Sequence, residues 1–589
     1  MSQIKKVCVI GAGVMGAGIA AHAANAGADV VLLDVVADAA AAAIKTMEKT
    51  DPAPFMHGKI ASRITPGTTG DDLALIRDCD WVIEAIIERP DIKQELYRTL
   101  APFLKADAVL SSNTSTLPLA VLTEGMDRDL KRRFLITHFF NPPRYMRLLE
   151  IVSSQETDAK SVALIDAFAD RAMGKSVVMA KDTPGFIANR IGTFWLHAAV
   201  TEAVRLGVGV EAADAVLGRP AGIPKTGIFG LLDLVGLDLM PHILTSFENT
   251  LGKADAFHAL GPAPDLLARM IADGYTGRKG KGGFYRLNTE GGGKVKEVID
   301  LKTGTYAPAR RPQPAALKAA RKDGLRGLLT HASPEARYAR SVLVKTLAYA
   351  ASLVPEIADN PDAVDRAMRL GYNWKTGPFE LIDKIGPAWL AGQLAEDGIA
   401  VPPWLAAVGN GKFYQIRDGR LHQFTGSDYQ PLQRPDGVLL LEDVKRRSQP
   451  VFKNMSCKLW DIGDGVACLE FTSKMNSLNP FILFMIDKAV REIPKRGFKA
   501  MVIYNEASNF SVGANIALLL VGAKLRLWPF VRWVLKRGQD SFQGMRFAPF
   551  PVVGAPSGMA LGGGCEILLH CDAVVAHGET YMGLVEAGV

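Results

Sequence analysis

The sequence predicts an α/β protein, with a parallel-sheet domain first, two duplicated all-α domains next, and a further α/β segment at the end. Three observations predict it. Residues 1–185 alternate short Val/Ile-rich runs with helical patterns, the order that builds a parallel sheet covered by helices. After Pro184-Gly185 apolar residues recur at helical spacing, as at Phe186, Ile187, Ile191, Trp195 and Leu196, with no strand run before Gly282-Gly283-Phe284-Tyr285. Finally, Lys225-Thr-Gly-Ile-Phe-Gly-Leu-Leu-Asp-Leu-Val-Gly236 matches Lys375-Thr-Gly-Pro-Phe-Glu-Leu-Ile-Asp-Lys-Ile-Gly386 at a constant offset of 150, which marks a duplicated helical unit.

In chain order, strands are expected at Val7 to Ile10, Val30 to Leu33, Trp81 to Ile87, Ala108 to Ser111 and Phe134 to His138. Gly11-Ala-Gly-Val-Met-Gly16 follows the first of these and opens an Ala-rich helix ending near Gly27. This strand-turn-helix setting is what a Rossmann dinucleotide fingerprint requires. Its glycines allow a tight turn and a close backbone approach to a diphosphate, which the helix N-terminus stabilises. Asp34 closes the second strand at the distance suited to an adenosine ribose, and a carboxylate there repels a 2′-phosphate, so NAD is expected over NADP.

The expected division is 1–185 for the dinucleotide domain, 186–290 and 336–432 for the helical pair, and 451–589 for the last α/β segment. The Gly-, Pro-, Lys- and Arg-rich stretches 291–335 and 433–450 read as linkers.

A chain of 589 residues exceeds what one core supports. With 48% hydrophobic and 22% charged residues it is neither disordered nor membrane-embedded by composition. A net charge of +7, dispersed along the chain, favours anionic small molecules over nucleic acid. Six cysteines without a C-x-x-C pair read as reduced core residues, with no structural metal, in a cytoplasmic protein lacking a signal peptide. The apolar stretch Ile516 to Leu535 is broken by Lys524, Arg526, Pro529 and Arg532, which excludes an integral membrane segment.

His138 ends an apolar strand, and Glu150 lies in another apolar run, where a carboxylate needs a partner. An imidazole is such a partner, and the pair would form a base with its orienting group. Spacing alone leaves open that His138 is a structural strand residue. Together with Ser112-Asn-Thr-Ser115, His138-Phe-Phe-Asn-Pro142 and Asp182-Thr-Pro-Gly-Phe-Ile-Ala-Asn189, however, the set resembles the 3-hydroxyacyl-CoA dehydrogenases, and Gly280 to Tyr285 and the duplicated Lys-Thr-Gly segments extend the likeness to about residue 430. The resemblance implies NAD-dependent oxidation of an (S)-3-hydroxyacyl-CoA to the 3-oxoacyl-CoA in fatty acid β-oxidation. It implies His138 as general base, Glu150 as its partner, and Ser115 and Asn189 as hydrogen-bonding groups at the substrate oxygen. Cofactor neighbours would be Gly11, Gly13, Met15, Gly16, Asp34, Glu88, Lys93, Ser115 and Asn141. Partners would be an acyl-CoA thioester, with a homo-oligomer or a thiolase complex as open alternatives. A catalytically silent NAD-binding scaffold is the rival reading.

Toward the end, Asn509-Phe-Ser-Val-Gly-Ala-Asn515 and Gly558-Met-Ala-Leu-Gly-Gly-Gly-Cys-Glu566 resemble the crotonase (enoyl-CoA hydratase) family, so a partial crotonase-like α/β domain is expected. The likeness implies paired oxyanion donors at the N–H groups of Ala514 and Gly563, and catalytic carboxylates at Glu566 and Glu586. Residues Leu518 to Phe530 would cover an acyl pocket. The chain stops soon after Glu586, where the resembled hydratases continue, so a truncated hydratase segment lacking part of its cover is expected.

Overall fold

Alternating side chains of one sheet feed two separate cores in the N-terminal third. On the strand Lys6–Ile10 (β1), Val7 and Val9 join one core and Cys8 and Ile10 the other, the period-two geometry of a sheet buried on both faces. The computed structural model describes residues 4–289 and 293–585. They fall into two compact units, 1–415 with 423–430, and 416–422 with 431–589.

The first unit contains an eight-stranded sheet. Its further strands are β2 (Asp29–Asp34), β3 (Ile64–Thr68), β4 (Trp81–Glu84), β5 (Val109–Ser112), β6 (Phe134–Phe139), β7 (Leu148–Val152) and β8 (Ser176–Ala180), in the order β3-β2-β1-β4-β5-β6-β7-β8. From β3 to β6 all pairings are parallel; β7 runs antiparallel to β6 and parallel to β8. The order reverses between β1 and β4, and a ligand crevice is expected outside the carboxyl ends of strands at such a switch. Strand β3, Ile-Thr-Pro-Gly-Thr, gave no sequence signal because its Pro66 and Gly67 are tolerated only at an edge.

A 19-residue helix, Ala188–Leu206, follows the sheet and packs along Pro334–Ser352. Near its start the Arg190 guanidinium reaches Tyr349 Oη at 2.5 Å and also pairs with Asp255. Near its end, Glu202 accepts from Lys345 Nζ and Ser341 Oγ at 2.7 and 2.8 Å, and these partners with Arg205 bring its carboxyl down to about 2 against the opposing effect of burial. The two helices therefore run antiparallel, tied at both ends.

The duplication is legible atom by atom. In the first repeat Asp214 accepts from the N–H groups of Phe229 and Gly230 and from Tyr285 Oη. In the second, Asp365 accepts from Phe379, Glu380 and Tyr414 Oη. Asp233 holds Phe284 N and Tyr285 N at 2.7 and 2.8 Å, and Asp383 holds Phe413 N and Tyr414 N at the same two distances.

The described residues of the two stretches read as linkers form regular elements. Residues 293–335 contain the strands Val295–Ile299 and Tyr306–Pro308, antiparallel beside Tyr285–Asn288, and the helix Ala315–Thr330. Buried Val298, Ile299, Leu328 and Leu329 anchor them; these few apolar positions are diluted by Gly and Lys in the sequence. Residues 433–450 include the helix Leu441–Arg447, fixed by buried Leu441 and Val444.

The second unit has a six-stranded sheet in the order Phe452–Lys453, Cys457–Asp461, Val466–Phe471, Ala500–Ile503, Val552–Gly554, Ala573–Val574. It is parallel from Val466 onward. The stretch Ile516 to Leu535 forms the helix Ile516–Lys524 and the beginning of Trp528–Arg546, and Leu520, Val521, Leu525, Leu527 and Trp528 of the expected acyl cover are exposed. Among the described residues no single helix is long and apolar enough to cross a membrane. All six cysteines are free, and five are buried.

Candidate active site

His138 and Glu150 are direct cross-strand partners on β6 and β7. His138 Nδ1 lies 2.7 Å from Glu150 Oε2. Glu150 is wholly buried, yet both of its oxygens are engaged, because Oε1 accepts from Ile187 N at 3.2 Å and Ala188 N at 2.8 Å. These N–H groups open the helix Ala188–Leu206, whose positive end suits a carboxylate. One side chain thus holds the histidine and fixes the helix that carries Asn189. The His138 ring is enclosed by Phe140 and Phe186, at centroid distances of 4.5 and 5.5 Å. With Nδ1 donating to Glu150, Nε2 is the nitrogen left to accept a proton.

Ser115 is anchored separately. Its N–H donates to Glu88 Oε1 at 2.8 Å, and Thr114 Oγ1 donates to the same oxygen at 3.0 Å. Lys93 is buried on Glu84, with Nζ 2.5 Å from Oε1, and lies 3.4 Å from Glu88 Oε2. Glu84 was not singled out in the sequence. At the carboxyl end of β4, it also accepts from Tyr97 Oη, Ser112 Oγ and Ile86 N, so it ties together the loops that carry Glu88 and Ser115. A Glu in an apolar strand, as at Glu150, was the available signal. Asn141 is exposed just past the end of β6.

At the other end of the chain, Ala514 and Gly563 converge. A Cβ placed on Gly563 would lie 3.7 Å from Ala514 N and 3.5 Å from Glu566 Oε2. Gly513 and Gly562 take φ of +88° and +50°, conformations that let the two strand-to-helix turns approach. Glu586 lies outside the described residues.

A cleft of about 640 Å³ in the first helical repeat is lined by Lys225, Arg278, Lys281, Arg286 and Lys296 and shares no residue with these sets. Arg286 pairs with Glu297, Lys281 donates to Asp273 O, and Lys296 covers the Tyr285 ring, so most of its cations are already engaged.

The family described as the 3-hydroxyacyl-CoA dehydrogenase NAD binding domain matches residues 6–183, and the 3-hydroxyacyl-CoA dehydrogenase C-terminal domain matches residues 185–287 and 338–397. A protein of Rickettsia felis, named as a fatty acid oxidation complex trifunctional enzyme, is 38% identical over 596 residues, covering 100% of this chain and 79% of its own. A Bacillus subtilis protein named as a 3-hydroxyacyl-CoA dehydrogenase is 36% identical over 617 residues, covering 100% and 77%. The chain belongs to the 3-hydroxyacyl-CoA dehydrogenase family. Among solved structures, the 3-hydroxybutyryl-CoA dehydrogenase of Escherichia coli shares the fold, with a TM-score of 0.51 at 23% identity, covering 67% of this chain and 95% of that one.

The cofactor of this dehydrogenase family is NAD, and the glycine turn fits it. A Cβ on Gly11 would meet Ala85 O at 2.5 Å, and one on Gly16 would meet Gly11 O at 1.8 Å, so both glycines are required by the turn itself. Gly13 has nothing within 4 Å of its Cβ position. It opens the helix Val14–Asn25 without any side-chain cap, leaving the helix N-terminus free for a diphosphate. Asp34 is held at the rim, with Oδ2 accepting from Ala12 N at 2.7 Å and Oδ1 from Val36 N at 3.0 Å.

Proposed function

We propose that the protein oxidises (S)-3-hydroxyacyl-CoA to 3-oxoacyl-CoA in fatty acid β-oxidation, with His138 as general base. The observation that carries the reading is the fully engaged Glu150, which fixes His138 Nδ1 as donor and leaves Nε2 to take the 3-hydroxyl proton. Glu150 stabilises the imidazolium that forms. Ser115 and Asn189 hydrogen-bond the substrate oxygen, and Phe140 and Phe186 keep water from the histidine. Gly11, Gly13, Met15, Gly16, Asp34, Glu88, Lys93 and Asn141 form or brace the dinucleotide cradle, Lys93 acting through Glu84 and Glu88. Bound NAD supplies the hydride acceptor.

A second activity is favoured by the convergence of Ala514 N, Gly563 and Glu566. The N–H groups of Ala514 and Gly563 would polarise a thioester carbonyl placed between them, and Glu566, with Glu586, would add water across a trans-2-enoyl-CoA. The product is the substrate of the first site, an order that accords with the trifunctional name of the Rickettsia relative. The division at 1–185, 186–290, 336–432 and 451–589 assigns dinucleotide binding, the two helical repeats and the hydratase-like part to separate domains.

Absorbance at the nicotinamide band tests both activities. Acetoacetyl-CoA is expected to oxidise NADH, and crotonyl-CoA with NAD is expected to yield NADH. His138→Gln should retain NADH binding and lose most turnover; near-normal turnover in that variant would remove the assignment and leave a binding scaffold. Absence of NADH from crotonyl-CoA alone would confine the chain to the dehydrogenase step.

A further inference from the structure

A carboxamide presents an acceptor on one side and two donors on the other, and a ligand meets whichever side its surroundings leave free. Asn189 sits in the first turn of Ala188–Leu206, next to the N–H that caps Glu150. Its Oδ1 lies 3.4 Å from Tyr372 Oη, a residue 183 positions away that follows the helix Pro361–Gly371 of the second repeat.

Two glycines admit this tyrosine. A Cβ on Gly192, three residues beyond Asn189 and so on the same helix face, would lie 2.1 Å from Tyr372 Cζ and 2.4 Å from its Oη. A Cβ on Gly371 would meet Leu148 Cδ2 at 2.8 Å, Ala188 Cβ at 3.2 Å and Phe140 Cε1 at 3.3 Å. The ring lies against bare helix backbone, with the Trp195 ring edge-on at 6.1 Å. Burial, reinforced by the Glu150 charge, holds the phenol well above its ordinary pKa, and a hydrogen bond with Thr193 opposes them. The phenol therefore keeps its proton, and its hydroxyl donates to Asn189 Oδ1.

The duplication supplies an internal comparison. At the offset of 150 set by Lys225 and Lys375, Tyr372 falls on Gly222, and at the offset of 151 set by Asp214 and Asp365 it falls on Ala221, so neither register gives the first copy a tyrosine. The tyrosine is no part of the framework common to both repeats, and it occurs in the copy that reaches the His138 side of the helix.

We propose that Tyr372 is a positioning residue for the dehydrogenase reaction: by donating to Asn189 Oδ1 it turns the Asn189 Nδ2 hydrogens toward the substrate oxygen. The second helical repeat thereby completes the site begun by the sheet and the first repeat. The inference rests on the reading of Asn189 as a substrate-binding group.

A double-mutant cycle with acetoacetyl-CoA and NADH tests it. Tyr372→Phe keeps the ring and removes the hydroxyl; kcat is expected to fall about tenfold, the size of one net hydrogen bond, with KM for NADH unchanged. In an Asn189→Ala background the same change is expected to cost nothing further. Gly192→Ala, which displaces the ring while leaving its hydroxyl intact, should reproduce the loss and the same coupling, and it serves if Tyr372→Phe does not fold. A harmless Asn189→Ala would overturn the role of Asn189 and this proposal with it. A costly Asn189→Ala with an equal Tyr372→Phe penalty in both backgrounds, or with no penalty at all, would overturn the positioning role alone.

Discussion

Glu150 carries two duties through two oxygens, and a single substitution can separate them. In Glu150→Gln the amide oxygen can still accept from Ile187 N and Ala188 N, so the helix start stays satisfied. The amide NH₂ then faces His138 Nδ1, which must become the acceptor. Nε2 carries the proton and can no longer receive one. We expect kcat for NAD-dependent oxidation of a 3-hydroxyacyl-CoA to fall by about 10²–10⁴-fold, with a melting temperature near that of the wild type. A variant with unchanged kcat would contradict the orienting role. Lys93, which the family resemblance implies as a cofactor neighbour, is 1% exposed, with its ammonium on Glu84 and 3.4 Å from Glu88.

The helix Val14–Asn25 is Ala-rich and buried along most of its length, Gly16, Ala17, Ile19, Ala20, Ala21, His22, Ala23 and Ala24 among them. His22 Nε2 lies 2.9 Å from Met173 O. Burial, aided by the nearby Lys175 charge, lowers the imidazole from 6.5 to about 3. The folded state therefore holds His22 neutral while the unfolded chain protonates it near pH 6.5. Its contribution is fully present above that pH and is lost as pH falls toward the folded value. Between about pH 7 and about pH 4.5 this group should remove about 2–3 kcal/mol of stability. Urea unfolding of His22→Gln, which can still donate to Met173 O, should show a correspondingly flatter acid profile; equal slopes for both proteins would exclude His22 as the cause.

Each of the two units has a core of its own, the first built around residues such as Ile136, Leu196 and Leu347, the second around Leu469, Ile486 and Ile567. Separate cores of this size predict two calorimetric transitions. NADH binds the first unit and should raise only its transition, by an amount that grows with the logarithm of ligand concentration. A shift of both transitions by NADH, or a single transition throughout, would contradict that expectation.

Local pattern made the sheet legible. Short Val/Ile-rich runs place β1, β2, β4, β5 and β6, and the glycine spacing of Gly11 to Gly16 specifies a tight turn because only glycine tolerates the contacts with Ala85 O and Gly11 O. The pairing of His138 with Glu150 could also be anticipated, since a buried carboxylate demands a partner. What the tertiary structure decided is which distant groups satisfy each polar atom. The second oxygen of Glu150 goes to a helix start, Lys93 goes to Glu84, residues 293–335 fold through a few apolar anchors, and Tyr372 reaches Asn189 across 183 positions. Local pattern encodes the elements, because a helix bonds residues four apart and an apolar run records a strand buried on both faces. These hydrogen-bond partners are set by packing between segments whose sequence separation carries no periodic signal.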